Sequence, residues 1–198
     1  MAKKPLPTPE ELRQLLRYEA DTGKMFWIEQ KPENFQDGKY SRERKCSMWN
    51  GSYAGKEAFA TQHGEGYRVG AVGGRMILAH RVAYTLYHGQ WPKGDIDHIN
   101  GDRSDNRIIN LRDVSRSENL RNAACRSNNT SGHTGVRWNK KDKKWVAFAT
   151  VGGSRTHLGY FDNRADACAA RSEFNKNNGF TRRHGKPAVI KSKEQSWH

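Results

Sequence analysis

The sequence is poor in cysteine, in long apolar runs and in negative charge. Only Cys46, Cys125 and Cys168 occur in 198 residues, and no two of them form a C-x-x-C pair. That excludes a disulfide framework and a structural zinc site, and leaves buried or half-buried free thiols as the expectation. No apolar run approaches the roughly 20 residues that a membrane-spanning helix needs, and no signal-peptide core opens the chain. The expected setting is therefore soluble and cytoplasmic, with no membrane and no small-molecule substrate. Acidic residues number 21 against 35 Lys and Arg, a formal net charge of +14. Such a surplus makes a polyanion the first expected partner, through phosphate neutralisation and counterion release. A well-solvated surface is the plainer alternative. No internal repeat appears.

What is present reads as a succession of short elements. In LPTPEELRQLLRYEADTGKMFW, Thr8 caps a helix, Pro9 fits its first position and Glu11 completes a capping box. Leu12, Leu15 and Leu16 form one apolar face, and Asp21–Gly23 turns the chain into a strand around Met25–Ile28. Packing explains this segment. Residues 29–66 are polar and glycine-rich, and read as loop with short strands. YRVGAVGGRMIL is a hairpin turning at Gly73-Gly74. AHRVAYTLYHG is a helix with Ala79, Val82, Ala83 and Leu86 at helical spacing and Gly89 as its stop. His80 in this helix reads as a structural or surface histidine.

Residues 123–134 have the small, polar composition of a linker. The pattern then changes to three strands with turns near Lys141-Asp142 and Gly152-Gly153. A helix follows, capped by Asn163, with Ala165, Cys168 and Ala169 on one face and Gly179 as its stop. Residues 186–198 form a basic, frayed tail.

The stretch GDIDHINGDRSDNRIINLRDVSRSEN, from Gly94 to Asn119, places acidic groups in a chain selected for cations. Read as a strand, it sends Asp97 and His98 to opposite sides. Asp97 offers a hard oxygen for Mg²⁺, and His98 accepts a proton near neutral pH. Ser115 and Glu118 form a second capping box, so Asn119 falls in the first turn of a helix with its amide oxygen available as a neutral ligand. Alternatively, Asp97, Asn100, Asp102, Asp105 and Asn106 are turn formers. An EF-hand is excluded by the spacing and by the missing Glu at its last position.

IDHINGDRSDNRIINLRDVSRSENLRN resembles the Asn-type branch of the HNH (ββα-metal, His-Me finger) nucleases, specifically phage and intron homing endonucleases. It carries Asp-His, then Asn-Leu, then Glu-Asn in order. The resemblance implies Asp97 and Asn119 as metal ligands, His98 as general base and Asn110 as the residue tying the loop that holds His98. It further implies Mg²⁺, with Mn²⁺ as a possible substitute. Cleavage by an in-line water would give 5′-phosphate and 3′-hydroxyl ends. Arg112, Arg116 and Arg121 flank the motif as phosphate contacts or as solvated charges. The preceding segments also look like this subgroup, so the resemblance covers about the first two thirds of the chain.

TGVRWNKKDKKWVAFATVGGSRTHLGYF and the alanine-rich helix after it resemble the APETALA2/ethylene-response-factor DNA-binding domain. The resemblance implies a three-stranded sheet laid in the major groove. It places Arg137, Lys140, Lys144, Trp145, Arg155 and His157 at DNA-facing positions. Thr150 and His157 depart from the family pattern, so its base preference does not transfer. Trp138, Trp145 and Phe161 have a second reading, as packing between sheet and helix.

These readings combine into an α+β chain. A nuclease region spans 1–122, with its ββα-metal core at about 67–122. The linker at 123–134 leads to a DNA-binding domain at 135–185 and the tail. The expected activity is monomeric cleavage of double-stranded DNA, by a phage-encoded homing enzyme in the host cytoplasm. The rival is a non-catalytic DNA-binding regulator carrying a decayed nuclease module.

Overall fold

The computed structural model describes residues 5–121, 129–181 and 184–185. The chain is α+β, and its contacts divide it into two compact units. One comprises the residues up to His98 together with Arg103–Arg112; the other comprises Ile99–Asp102 and the residues from Asp113 onward. Among the described residues, no helix is long and apolar enough to cross a membrane.

The first unit begins with α1 (Pro9–Leu15), where the Thr8 and Glu11 side chains cap each other's backbone N–H groups as the sequence predicts. Strands β1 (Leu16–Glu19) and β2 (Lys24–Trp27) form an antiparallel hairpin, extended by β3 (Glu57–Ala58). Strand β4 (Thr61–Gln62) pairs with β5 (Arg68–Val72), which pairs with β6 (Arg75–Leu78). Gly73 and Gly74 both have positive φ, +59° and +77°, as the tight turn between twisted strands requires. Helix α3 (Ala79–His88) then lays Ala79, Val82, Ala83 and Leu86 into the core and stops at Gly89. Leu12, Leu16, Met25, Phe59, Val72 and Ile77 join this core. Complete burial of Leu12 or Val82 stabilises the fold by about 2 kcal/mol each.

Between β2 and β3 the sequence predicts loop, and the structure has a helix, α2 (Arg42–Tyr53). Its residues have no apolar period, so local pattern does not reveal it. Gln30 fastens it: the Asn50 amide donates to the Gln30 carbonyl (2.9 Å) and accepts from the Gln30 N–H (2.8 Å), while Cys46 Sγ donates to the same carbonyl (3.1 Å).

Strand β7 (Asp95–His98) pairs with β8 (Leu111–Val114), and α4 (Arg116–Arg121) follows. Of the expected linker, residues 123–128 lie outside the described residues, as do Cys125 and the tail 186–198. Further on, Ser131 is buried in a turn, its hydroxyl donating to the His133 carbonyl at 2.9 Å.

The second unit holds β9 (Val136–Asn139), β10 (Lys144–Val151) and β11 (Ser154–Phe161), an antiparallel sheet in the spatial order β11-β10-β9. Helix α5 (Arg164–Asn177) packs on it, with Asn163 accepting from the Asp166 N–H as the cap. Its buried residues are Ala167 and Arg171, whereas Ala165 and Ala169 are exposed. The predicted apolar face is therefore rotated. Small alanines mark a helix without marking which of its sides meets a sheet.

Candidate active site and nucleic-acid surface

Strand β7 is anchored by Ile96, which packs with Ala83 and Leu111. Alternation then sends Asp97 to the opposite side from Ile96, and His98 back to the same side. Both faces are covered, for Asp97 is 6% exposed and His98 4%.

Asp97 lies against β8. Arg112 Nε and a terminal guanidinium nitrogen both donate to Asp97 Oδ2, at 2.9 and 2.6 Å. These charge-assisted bonds offset much of the desolvation cost of a buried carboxylate. Arg112, expected as a phosphate contact or a surface charge, is engaged with Asp97 here, and its side chain remains 39% exposed.

His98 Nε2 lies 3.3 Å from Asn106 Oδ1, so the tautomer protonated at Nε2 donates to that amide. Two more rings surround the imidazole. His80 meets it edge-to-face with centroids 5.1 Å apart, and Tyr67 stands 5.9 Å from His98 and 5.2 Å from His80. His80 is 5% exposed, and its Nδ1 has no hydrogen-bond partner among the described residues. Burial, then the neighbouring His98 and Arg81, push its pKa down to about 3, so it is neutral at physiological pH. Burial raises the Tyr67 pKa, so the phenol keeps its proton.

The loop that carries Asn106 is tied within itself and to the N-terminal hairpin. The Asn110 amide donates to the Asp105 carbonyl at 2.8 Å, and Arg107 donates twice to the Asp105 carboxylate, at 2.8 and 2.6 Å. Tyr18 of β1 donates its hydroxyl to the Asn106 carbonyl at 2.7 Å, and the Ile108 N–H donates to the Ala20 carbonyl at 3.1 Å. Gly23, at φ +73°, turns β1 into β2 directly against this loop, where a Cβ would lie 2.5 Å from the Arg107 nitrogen. The N-terminal segment, read from sequence as packing, thus buttresses the strip of backbone that presents Asn106 to His98.

In the second unit, the Ser115 Oγ accepts from the Glu118 N–H at 3.3 Å, and the Glu118 carboxylate accepts from the Ser115 N–H at 2.9 Å. This capping box starts α4, with Asn119 half-buried and its N–H bonded to the Ser115 carbonyl at 3.0 Å. Arg116 is exposed. The side chain of Arg121 lies outside the described residues.

The sheet register sorts the expected DNA-facing residues. Arg137, Val146 and Tyr160 form one cross-strand row, Phe148 and His157 a second, and Thr150 and Arg155 a third, all on one face with Lys144. Val136, Trp138, Trp145, Ala147 and Phe161 alternate onto the other, where Val136 and Ala147 meet Ala167 of α5. Arg137, Lys140, Arg155 and His157 are exposed. The Arg155 guanidinium rests on the Phe148 ring, 4.2 Å from its centroid, and His157 meets Tyr160 at 4.8 Å. Lys140 sits in the turn before β10, and Lys144 reaches Asp162 at 3.1 Å, an exposed pair of little energetic weight. Trp145 is half-buried against the helix-side core, and Trp138, 43% exposed, lies edge-on to it on the same side.

Asn106, Tyr67 and Tyr18 are the site residues that sequence reasoning misses. Asn106 carries only a turn-former signal, and the tyrosines lie 31 and 80 positions before His98 (98 − 67 and 98 − 18). Among the described residues, no three or more His, Cys, Asp or Glu side chains cluster as a metal cage. The carboxylate of Asp97 and the amide of Asn119 are hard oxygen donors of the kind Mg²⁺ takes, and Mg²⁺ characteristically keeps further positions for water and phosphate.

Residues 78–121 match the family model of the HNH endonuclease. The chain is also 34% identical over 77 residues to "Protein 3.8" of Escherichia phage T7, an alignment covering 38% of this chain and 64% of that relative. The chain thus matches slightly less than two thirds of the relative's length. No solved structure matches the chain. The segment from Leu78 to Arg121, which contains α3, β7, the Asn106 loop, β8 and α4, is an HNH endonuclease domain.

Proposed function

We propose that the chain is a metal-dependent DNA endonuclease, a phage homing enzyme acting in the host cytoplasm, whose C-terminal sheet adds affinity and site choice. The observation that carries this reading is the HNH match falling on a buried Asp97-His98 pair whose histidine is held by Asn106. Asp97 and Asn119 would hold Mg²⁺, or Mn²⁺ in its place; when bound, the cation supplies positive charge to the scissile phosphate and to the leaving 3′ oxygen. His98 takes a proton from the attacking water. The water oxygen bonds to phosphorus as the bond to the 3′ oxygen breaks, and the departing 3′ oxygen takes a proton from solvent, leaving 5′-phosphate and 3′-hydroxyl ends. Asn110 holds the loop closed through the Asp105 carbonyl. Arg116 and Arg121 would contact backbone phosphates, as would the exposed part of the Arg112 side chain. In the second unit, the exposed face carrying Arg137, Arg155, His157 and Lys144, with Lys140 beside it, lies against duplex DNA. Trp145 supports this face from behind.

The Arg112 fork on Asp97 favours a second reading, in which a guanidinium has replaced the metal in a decayed module that only binds DNA. Supercoiled plasmid separates the two. The endonuclease converts it to nicked or linear product with Mg²⁺ and stops on chelation. A binding-only protein shifts the plasmid in a gel and leaves it intact.

A further inference from the structure

Two aromatic rings stand around His98, one from Tyr67 and one from His80. Tyr67 precedes β5 and His80 lies in the first turn of α3, yet both converge on the imidazole from elements of the same unit. The three ring centroids stand 5.1, 5.2 and 5.9 Å apart, all within the range of favourable ring contacts. Arg103 covers Tyr67 at 4.7 Å, and is itself tied to the Glu65 carbonyl at 2.9 Å. Asn106 stands at Nε2. His80 keeps a buried nitrogen without a partner among the described residues, an arrangement that a hydrocarbon ring would avoid.

We infer that Tyr67 and His80 are positioning residues for His98, forming a ring cage that fixes the plane of its imidazole and aims it at the attacking water. The inference rests on His98 acting as the base. Packing the sides of an imidazole restricts its rotation about its χ angles, and the Tyr67 and His80 rings both lie against the His98 ring. An imidazole that swings by about 1 Å loses on the order of 100-fold in rate with little change in substrate affinity.

The test uses the full chain in two arms. In the first, Mg²⁺-dependent plasmid cleavage is measured for Tyr67→Leu, Tyr67→Phe, His80→Leu and His80→Phe. The leucine variants lose about 100-fold in kcat with KM within a few-fold of wild type, and the phenylalanine variants recover most of that loss because they restore a ring. A change confined to KM, or phenylalanine variants as impaired as the leucine ones, overturns the inference. The second arm needs neither metal nor DNA. The carbon–proton correlation of the His98 ring, identified by its disappearance in His98→Gln, shifts and broadens in the leucine variants. An unmoved His98 signal in folded leucine variants refutes the cage even in an active enzyme. If the wild type never cuts DNA, the nuclease reading fails while this spectrum still decides whether the cage orders the ring.

Discussion

Gly23→Ala perturbs the site from a residue outside the proposed metal ligands and DNA contacts. Gly23 has φ +73°, and an added Cβ would stand 2.5 Å from the Arg107 nitrogen and 2.7 Å from the Asn106 carbonyl carbon. Ordinary contact begins at 3.4 Å, so the loop must retreat by 0.9 Å (3.4 − 2.5) or the hairpin must open. A left-handed alanine costs about 1 kcal/mol, and overpacking against rigid backbone a further 1–3 kcal/mol or so. The expected loss of stability is about 3 kcal/mol. A shift of that size carries Asn106 away from His98 Nε2, already at 3.3 Å, and lowers kcat by about 100-fold. Gly73→Ala is the control, since its φ is +59° but nothing lies within 4 Å of the new Cβ. It pays the backbone term alone, about 1 kcal/mol, and leaves cleavage near wild type. Urea unfolding and plasmid cleavage on both variants decide the matter. Equal stability and equal kcat for the two would refute the claim that the hairpin buttresses the Asn106 loop.

Other perturbations probe separate parts of the account. His80 has a folded pKa near 3 against an ordinary 6.5, so the unfolded chain binds a proton that the folded chain refuses. Its stabilising effect is complete above pH 6.5 and is lost as pH falls toward 3, at about 1.4 kcal/mol per pH unit. His80→Phe should flatten the stability profile in that window, and parallel profiles would remove His80 from it. Replacing Arg137 and Arg155 together by Ala should lower the salt slope of DNA binding by about 2, while Trp145→Ala should destabilise the second unit by about 3 kcal/mol. Gel shifts across a salt series and calorimetry separate these effects. Asp97→Ala and Asn119→Ala should raise the Mg²⁺ needed for half-maximal cleavage or abolish turnover, and a metal titration of Asn119→Ala that matches wild type would unseat it as a ligand.

The elements that sequence reveals here are those written in local chemistry. Thr8 with Glu11, Ser115 with Glu118, Gly73-Gly74 and Asn163 each satisfy backbone groups within a few residues of themselves, so spacing suffices to read them. Helix α2 also has a local cap, Ser41 accepting from the Arg44 N–H, but it lacks an apolar period, and Gln30 holds it from outside the helix. The Asp97-His98 pair is legible as a motif, but its surroundings are not. Arg112 looks like any flanking cation until β8 brings it to Asp97, and Asn106 looks like any turn residue until the loop folds back on Nε2. Tyr18 reaches the same loop across 88 positions of sequence, a distance over which no periodicity carries information. Likewise, the strand pattern predicts three strands and a helix in the second unit, while only the register shows Trp145 facing the helix and Arg155 the opposite side.

As the proposed base, His98 would serve chemistry and not affinity. That role is tested most directly by comparing His98→Ala with wild type on one DNA substrate, measuring binding by gel shift and cleavage with Mg²⁺ in the same preparation. The variant should keep DNA affinity within a few-fold of wild type and lose at least about 100-fold in cleavage. Cleavage per bound complex equal to wild type, or a wild-type chain that binds DNA and leaves it whole, would contradict it.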